Sequence, residues 1–218
     1  MELAASEFAK LPGIETREYR PGELLHAERL KQLYSWVREG AIGLHVPTGR
    51  AAHVMLEVFG PGWLLSPAVF ETPPTPEARR AAALLQTTTL ELPADAFNRQ
   101  VAAQPSLALA LASWNAHQYA SSLDRLAMFA LRDPVRRVPA TLLLLLGRLG
   151  GAPAPAASAR LALSQQLIAA FANLSRQTTN KQLRRLARAG LVGLERGVVH
   201  VRNPGALRDL ASGRALAR

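Results

Sequence analysis

The stretch that most constrains this chain is residues 161–202, LALSQQLIAAFANLSRQTTNKQLRRLARAGLVGLERGVVHVR. Ser164 is placed to cap a first helix whose apolar face is Leu167, Ile168 and Phe171. Ala172-Asn173-Leu174 reads as a turn, because Asn tolerates a left-handed backbone better than most non-glycine residues. Ser175 then caps a second helix, with Leu183 and Leu186 facing inward and Gly190 ending it. Its outward face carries Arg176, Gln177, Asn180, Lys181, Arg184, Arg185 and Arg188, with no acidic residue among them. Leu191–Leu194 and Val198–Val201 flank Glu195-Arg196-Gly197, the pattern of a β-hairpin tip, or wing. Two helices joined by a short turn, the second basic and rich in amides, form the arrangement that seats side chains in a DNA major groove.

Charge is distributed unevenly. Of a formal net charge of +10, residues 1–131 hold 11 Lys/Arg against 13 Asp/Glu, and residues 132–218 hold 15 against 3. A polyanion is therefore expected to meet the C-terminal part alone, double-stranded DNA first and an anionic membrane second. The chain has no cysteine, which excludes disulfides, iron–sulfur clusters ligated by cysteine and cysteine nucleophiles. MELAASEFAK lacks the basic-then-apolar pattern of a signal peptide, and the apolar run Ala140–Leu146 is too short to span a bilayer. The expectation is a cytoplasmic protein without a membrane partner.

In chain order, residues 1–13 read as a short helix. Glu15–Leu92 has the texture of strands, with runs 33–37, 41–46 and 53–59 between turn signals such as Arg38-Glu39-Gly40 and Gly60-Pro61-Gly62. Such spacing predicts an antiparallel barrel or sandwich. Glu71–Arg80 reads as a proline-rich loop, 81–92 as one strand or a pair, and 93–103 as a short helix. Pro105 to about Leu131 reads as one long helix in which Leu107, Leu111, Trp114, Gln118, Ser121, Arg125 and Met128 recur every three or four residues, with Leu123 and Leu126 beside that line. At about 39 Å it is longer than a small domain needs, and such helices commonly pair with a copy of themselves. Asp133-Pro134 marks a hinge, and Val135–Leu149 a further helix, which Pro139 disturbs unless it lies in the first turn. Gly150–Ser158 reads as a linker and 203–218 as a basic, frayed tail. The expected domains are 1–104, a dimerisation helix at 105–132, and 133–218.

This order resembles the Crp/Fnr (catabolite activator and fumarate–nitrate regulator) family of bacterial transcription regulators. Ser175-Arg176-Gln177-Thr178 is similar to the family's Ser-Arg-Glu-Thr, Lys181 stands where the family has Arg, and Gly190-Leu191-Val192 matches its Gly-apolar-apolar end. Asp133–Val138 looks like its hinge and following helix. The resemblance implies an α+β protein: an N-terminal cupin-like antiparallel β-barrel of the cyclic-nucleotide-binding type, a long dimerisation helix and a C-terminal winged helix-turn-helix. It implies a homodimer on a two-fold operator, not an enzyme, with RNA polymerase as a further partner. Arg176, Gln177 and Lys181 would meet base edges, and Ser164, Ser175, Thr178 and Arg196 the DNA backbone. Arg79, Arg80 and Ser122 are the candidate effector residues.

Two departures matter. Gln177 replaces a Glu; a carboxylate accepts from cytosine, whereas Gln pairs with adenine. Cyclic-nucleotide-binding members follow Pro-Gly with Gly-Glu for the ribose and, later, Arg-Ser/Thr for the phosphate. Here Pro61-Gly62 leads into Trp63-Leu64-Leu65-Ser66, and Arg79-Arg80 into Ala81-Ala82. An apolar replacement leaves a ribose hydroxyl unpaired at a cost of about 1–3 kcal/mol, so cyclic AMP is not the expected effector.

No cofactor is predicted. Haem or another metal would need ligands among His26, His45, His53, His117 and His200, none of which forms a metal-spacing pair, although His45 and His53 could meet across a hairpin. The competing readings are a basic module for another anionic partner, and a metal-dependent cupin-type enzyme using His45, His53 and Glu57.

Overall fold

A computed structural model describes residues 7–47, 53–71, 79–150 and 158–214 of the chain. Expectations for residues 1–6, 48–52, 72–78, 151–157 and 215–218 fall outside that range. The chain divides into two compact units, Met1–Ser121 and Ser122–Arg218.

The first unit is built on antiparallel strands: β1 Glu15–Tyr19, β2 Leu24–Leu25, β3 Leu33–Glu39, β4 Ile42–Pro47, β5 His53–Phe59, β6 Leu64–Leu65, β7 Arg80–Ala83 and β8 Thr87–Pro93. They form two four-stranded sheets, ordered β1-β8-β3-β6 and β2-β7-β4-β5. The chain thus adopts the expected α+β class, its β part taking the form of these two sheets. Alternation along β3 explains how the core is divided. Val37 turns to one face, where it joins Tyr19, Ile42, Leu44, Trp63, Leu65 and Ala83 in a core drawn from both sheets. Trp36 turns to the other face and, with Leu64 and Leu90 opposite it, meets Phe8, Phe97 and Leu107. Trp114 seals that second cluster, its indole N–H donating to the Gly62 carbonyl at 2.8 Å.

One carboxylate lies inside the first unit. Glu91 is 1% exposed. Tyr19 Oη donates to its Oε1 at 2.7 Å, Thr89 Oγ1 donates to the same oxygen at 3.1 Å, and the Arg29 guanidinium holds Oε2 at 2.7 and 3.2 Å. A buried charge is tolerable only when it is paired and hydrogen-bonded to this degree. Burial, reinforced by the hydrogen bond to Glu91, pushes the Tyr19 hydroxyl well above the ordinary phenol range, and the hydrogen bond to Glu91 raises Arg29 further.

The long helix is Pro105–Ala130. The repeat read from the sequence faces inward: Leu107, Trp114, Arg125 and Met128 are all buried, Leu107 and Trp114 in the first unit and Arg125 and Met128 in the second. A different stripe is left open. Leu109, Tyr119, Leu123 and Leu126 are 73%, 67%, 46% and 63% exposed, and Ala112, Ala116 and Ala130 are exposed with them. These seven residues alternate spacings of three and four, the seam of a coiled coil. The flanking positions Ala108, Asn115 and Ser122 on one side and Ser113, Ala120 and Ala127 on the other carry no charge.

The second unit begins on the last turns of that helix. Arg125 lies over the Phe171 ring at 3.5 Å and over Phe129 at 4.7 Å. Asp133 caps the next helix, Pro134–Leu149, accepting from the Val135 amide. Pro139 sits in its second turn, so Val135 O loses the N–H donor that position would otherwise supply. Two further expectations are corrected. Residues 203–214 are not frayed: Asn203 caps a helix, Pro204–Ser212, that buries Leu207, and Arg136 Nε donates to the Ala211 carbonyl at 3.1 Å. Ala159–Leu161 is a strand, β9, that pairs with the hairpin.

Candidate nucleic-acid interface

The helix-turn-helix follows its local chemistry closely. Ser164 caps the helix Gln165–Ala172, its Oγ accepting from the Leu167 amide at 3.2 Å. Ile168 and Phe171 are fully buried. Asn173 takes φ 49°, ψ 50°, the left-handed turn its side chain tolerates, and is the lone non-glycine residue with positive φ among those described. The Arg137 guanidinium binds the carbonyls of Leu131 and Phe129 at 2.6 and 3.2 Å, and its third nitrogen lies 3.5 Å from that of Asn173.

Ser175 caps the second helix, Arg176–Arg188. Its Oγ accepts from the Thr178 amide at 3.0 Å and donates to Thr178 Oγ1 at 2.8 Å. The Ser175 hydroxyl thus gives its proton within the chain, and the Thr178 hydroxyl keeps its own. Leu183 and Leu186 are buried at 0% and 4%. Arg176, Gln177, Lys181, Arg184, Arg185 and Arg188 are exposed on the other side, and among the described residues none of these cations is paired with a carboxylate. Asn180, expected on that face, is half-buried and its Oδ1 is enclosed without a hydrogen-bond partner among the described residues.

Behind this helix, β10 Val192–Glu195 and β11 Val198–Val201 form the wing around Arg196-Gly197, with Gly197 at φ 76°. With β9 they make a three-stranded sheet, β10-β11-β9. Leu161, Val199 and Val192 lie buried on its inner face, and Arg196 is exposed at the tip. The sequence reading places no strand at β9; the alternation Arg160-Leu161-Ala162-Leu163, exposed and buried in turn, is the signal that could have found it.

The candidate effector residues are divided between the two units. Arg79 Nη1 donates to the Val69 carbonyl at 2.6 Å, Arg80 is exposed on β7 opposite His45, and Ser122 is half-buried in the second unit. On the β4–β5 ladder His45 pairs with Met55, His53 with Pro47, and Glu57 with Leu44 across a bulge. Glu57 Oε1 accepts from the Val58 amide. Among the described residues no three or more His, Cys, Asp or Glu are grouped to hold a metal ion, and no helix is long and apolar enough to cross a membrane.

Residues 136–210 match the Crp-like helix-turn-helix domain. No curated protein matches the chain. Among solved structures, FixK2 from Bradyrhizobium japonicum is similar at 20% identity and a TM-score of 0.73, over 94% of this chain and 99% of that one. A CRP/FNR-family transcriptional regulator from Thermus thermophilus is similar at 21% identity and 0.68, over 92% and 100%. The c-di-GMP-responsive global regulator CLP from Xanthomonas campestris is similar at 16% identity and 0.64, over 93% and 100%.

Proposed function

We propose that this chain, which has the Crp/Fnr regulator fold and carries a Crp-like helix-turn-helix domain, is a homodimeric, sequence-specific DNA-binding transcription regulator. The observation that carries the reading is the capped helix Arg176–Arg188, whose outer face is cationic and amide-bearing and whose other face is locked into a core. Arg176, Gln177 and Lys181 read base edges. Thr178, polarised by Ser175, gives its proton to a phosphate; Ser164 and Arg196 complete the backbone contacts.

The second copy binds along the exposed seam Leu109–Ala130. A large apolar stripe on a helix is costly in water and is covered at low cost by its own duplicate. Two recognition helices then sit about 34 Å apart and read half-sites one turn apart. RNA polymerase is the partner this activity serves.

Cyclic AMP is not the effector. The residues that stand where the family's ribose-binding pair would be are Trp63, Leu64 and Leu65, all in the packed core. The Arg79 guanidinium is engaged with a backbone carbonyl. Thermal melting with millimolar cyclic AMP is expected to leave the transition unmoved.

Genomic footprinting with the purified full chain tests the whole reading. Discrete protected sites with two-fold symmetry are expected; protection that is uniform or absent at physiological salt would defeat it.

A further inference from the structure

The last turns of the long helix, from Ser122 on, belong to the second unit and carry two different faces. Leu123 and Leu126 are exposed on one of them, as part of the seam. Arg125 stands about 130° round the helix from the centre of that seam. Its side chain is 3% exposed and runs into the helix-turn-helix. The guanidinium centre lies 3.5 Å from the centre of the Phe171 ring and 4.7 Å from that of Phe129. Phe171 is fully buried in the first helix of the motif. It comes shortly before the left-handed Asn173 and before Ser175, which caps the recognition helix. A shift of Phe171 is therefore passed on through a tight turn to the start of the recognition helix.

We infer that Arg125 is a positioning residue that sets the spacing at which the two half-sites of an operator are read. The inference rests on the homodimeric, DNA-binding reading above. A second copy seated on Leu123 and Leu126 holds the long helix on one side, and Arg125 holds the motif on the other. The angle between those two faces then decides how far apart the paired recognition helices stand. A guanidinium suits this task for three reasons. It is planar, so it lies flat on a ring and keeps one orientation. Its charge is drawn to the ring face, and the attraction is strongest where water is excluded, as it is here. Phe129 stands one turn along on its own helix and backs it from behind. An unbranched apolar side chain of similar length would fill the same space and define no angle.

The test uses the full chain and one footprinted operator whose central spacer is shortened or lengthened a base pair at a time. Each step turns one half-site by about 35°. Wild type should lose on the order of 10²-fold in affinity once the second half-site leaves reach. Arg125→Met keeps the stem and the apolar volume without the plane or the charge. It should shrink the ratio between best and worst spacers by about tenfold or more. Its dimerisation in sedimentation, and its affinity for a duplex with a single half-site, should match wild type. Arg125→Lys keeps the charge without the plane and should fall between the two. A second measurement reads the geometry without DNA. The chain has no cysteine, so Arg188→Cys takes one spin label per copy at the end of the recognition helix. The distance between the two labels should be narrowly distributed, and Arg125→Met should broaden it. Spacer discrimination that survives Arg125→Met overturns the inference, and so does a label distance that stays as narrow as before. An equal loss on every spacer and on the single half-site overturns it too, because a purely structural residue would give that result. Wild type that is monomeric, or indifferent to the spacer, defeats the two-fold operator reading itself, a separate outcome.

Discussion

Two helices in this chain present an unpartnered face, and they differ in what water does to each. The recognition helix shows arginines, a lysine and a glutamine, a surface that is stable when hydrated and is drawn to phosphate. The long helix shows Leu109, Tyr119, Leu123 and Leu126, a surface that water penalises at about 25 cal/mol per Å². The first face can wait for its partner, whereas the second requires cover at all times. On the function proposed above, that difference makes the dimer obligate and the DNA contact reversible.

The strongest way to break this contrast is to make the second face resemble the first. L123E/L126E should convert the dimer to monomer in sedimentation at micromolar concentration. Because paired half-site binding is then lost, operator affinity should fall by about 10² or more. A dimer that persists, or full affinity from a monomer, would dissolve the distinction.

A smaller effect sharpens the other face. Arg176→Ala should cost about 1–3 kcal/mol and relax base choice at one position per half-site, whereas Arg196→Ala should weaken all sequences alike. Competition binding against a panel of single-base operator variants separates the two. Ser175→Ala removes a cap and the orientation of Thr178; a loss of about 0.5–2 kcal/mol in denaturant melts is expected, with weaker binding and unaltered base preference.

The smallest effect comes from a region that takes part in neither contact. Tyr19 holds its proton in the folded state to a higher pH than in the unfolded chain, which titrates near 10. Above about pH 10 the unfolded state therefore binds fewer protons, and stability falls as pH rises. Tyr19→Phe should flatten that alkaline slope in pH-dependent melts while leaving dimerisation at neutral pH intact.

The helix-turn-helix was legible because its signals are local. Ser164, Asn173 and Ser175 each act within a few residues of themselves, so sequence order and structure coincide. The exposed seam is harder to read because the long helix carries two apolar stripes, and periodicity alone does not say which of them the chain covers. The strand β9 is three residues long and gains its partner almost forty residues later, a contact no local window contains. Thr87, Thr89 and Glu91 alternate as a solvent-facing row would, yet Tyr19 and Arg29 bring Thr89 and Glu91 inside. The tail did carry its signal, Asn203 before Pro204, the pairing of a cap with a first-turn proline; its basic composition obscured it.

The break at residues 131–133 has a mechanical consequence. A gap between helices invites the reading of a free joint, but Arg137 ties the carbonyls of Phe129 and Leu131 to the helix that follows, and Arg125 is clasped between Phe129 and Phe171. The last turns of the long helix are keyed to the reading head like a shaft to a wheel. Within the second unit, the gap is thus spanned by two arginines, one reaching back from the helix after it and one reaching forward from the helix before it.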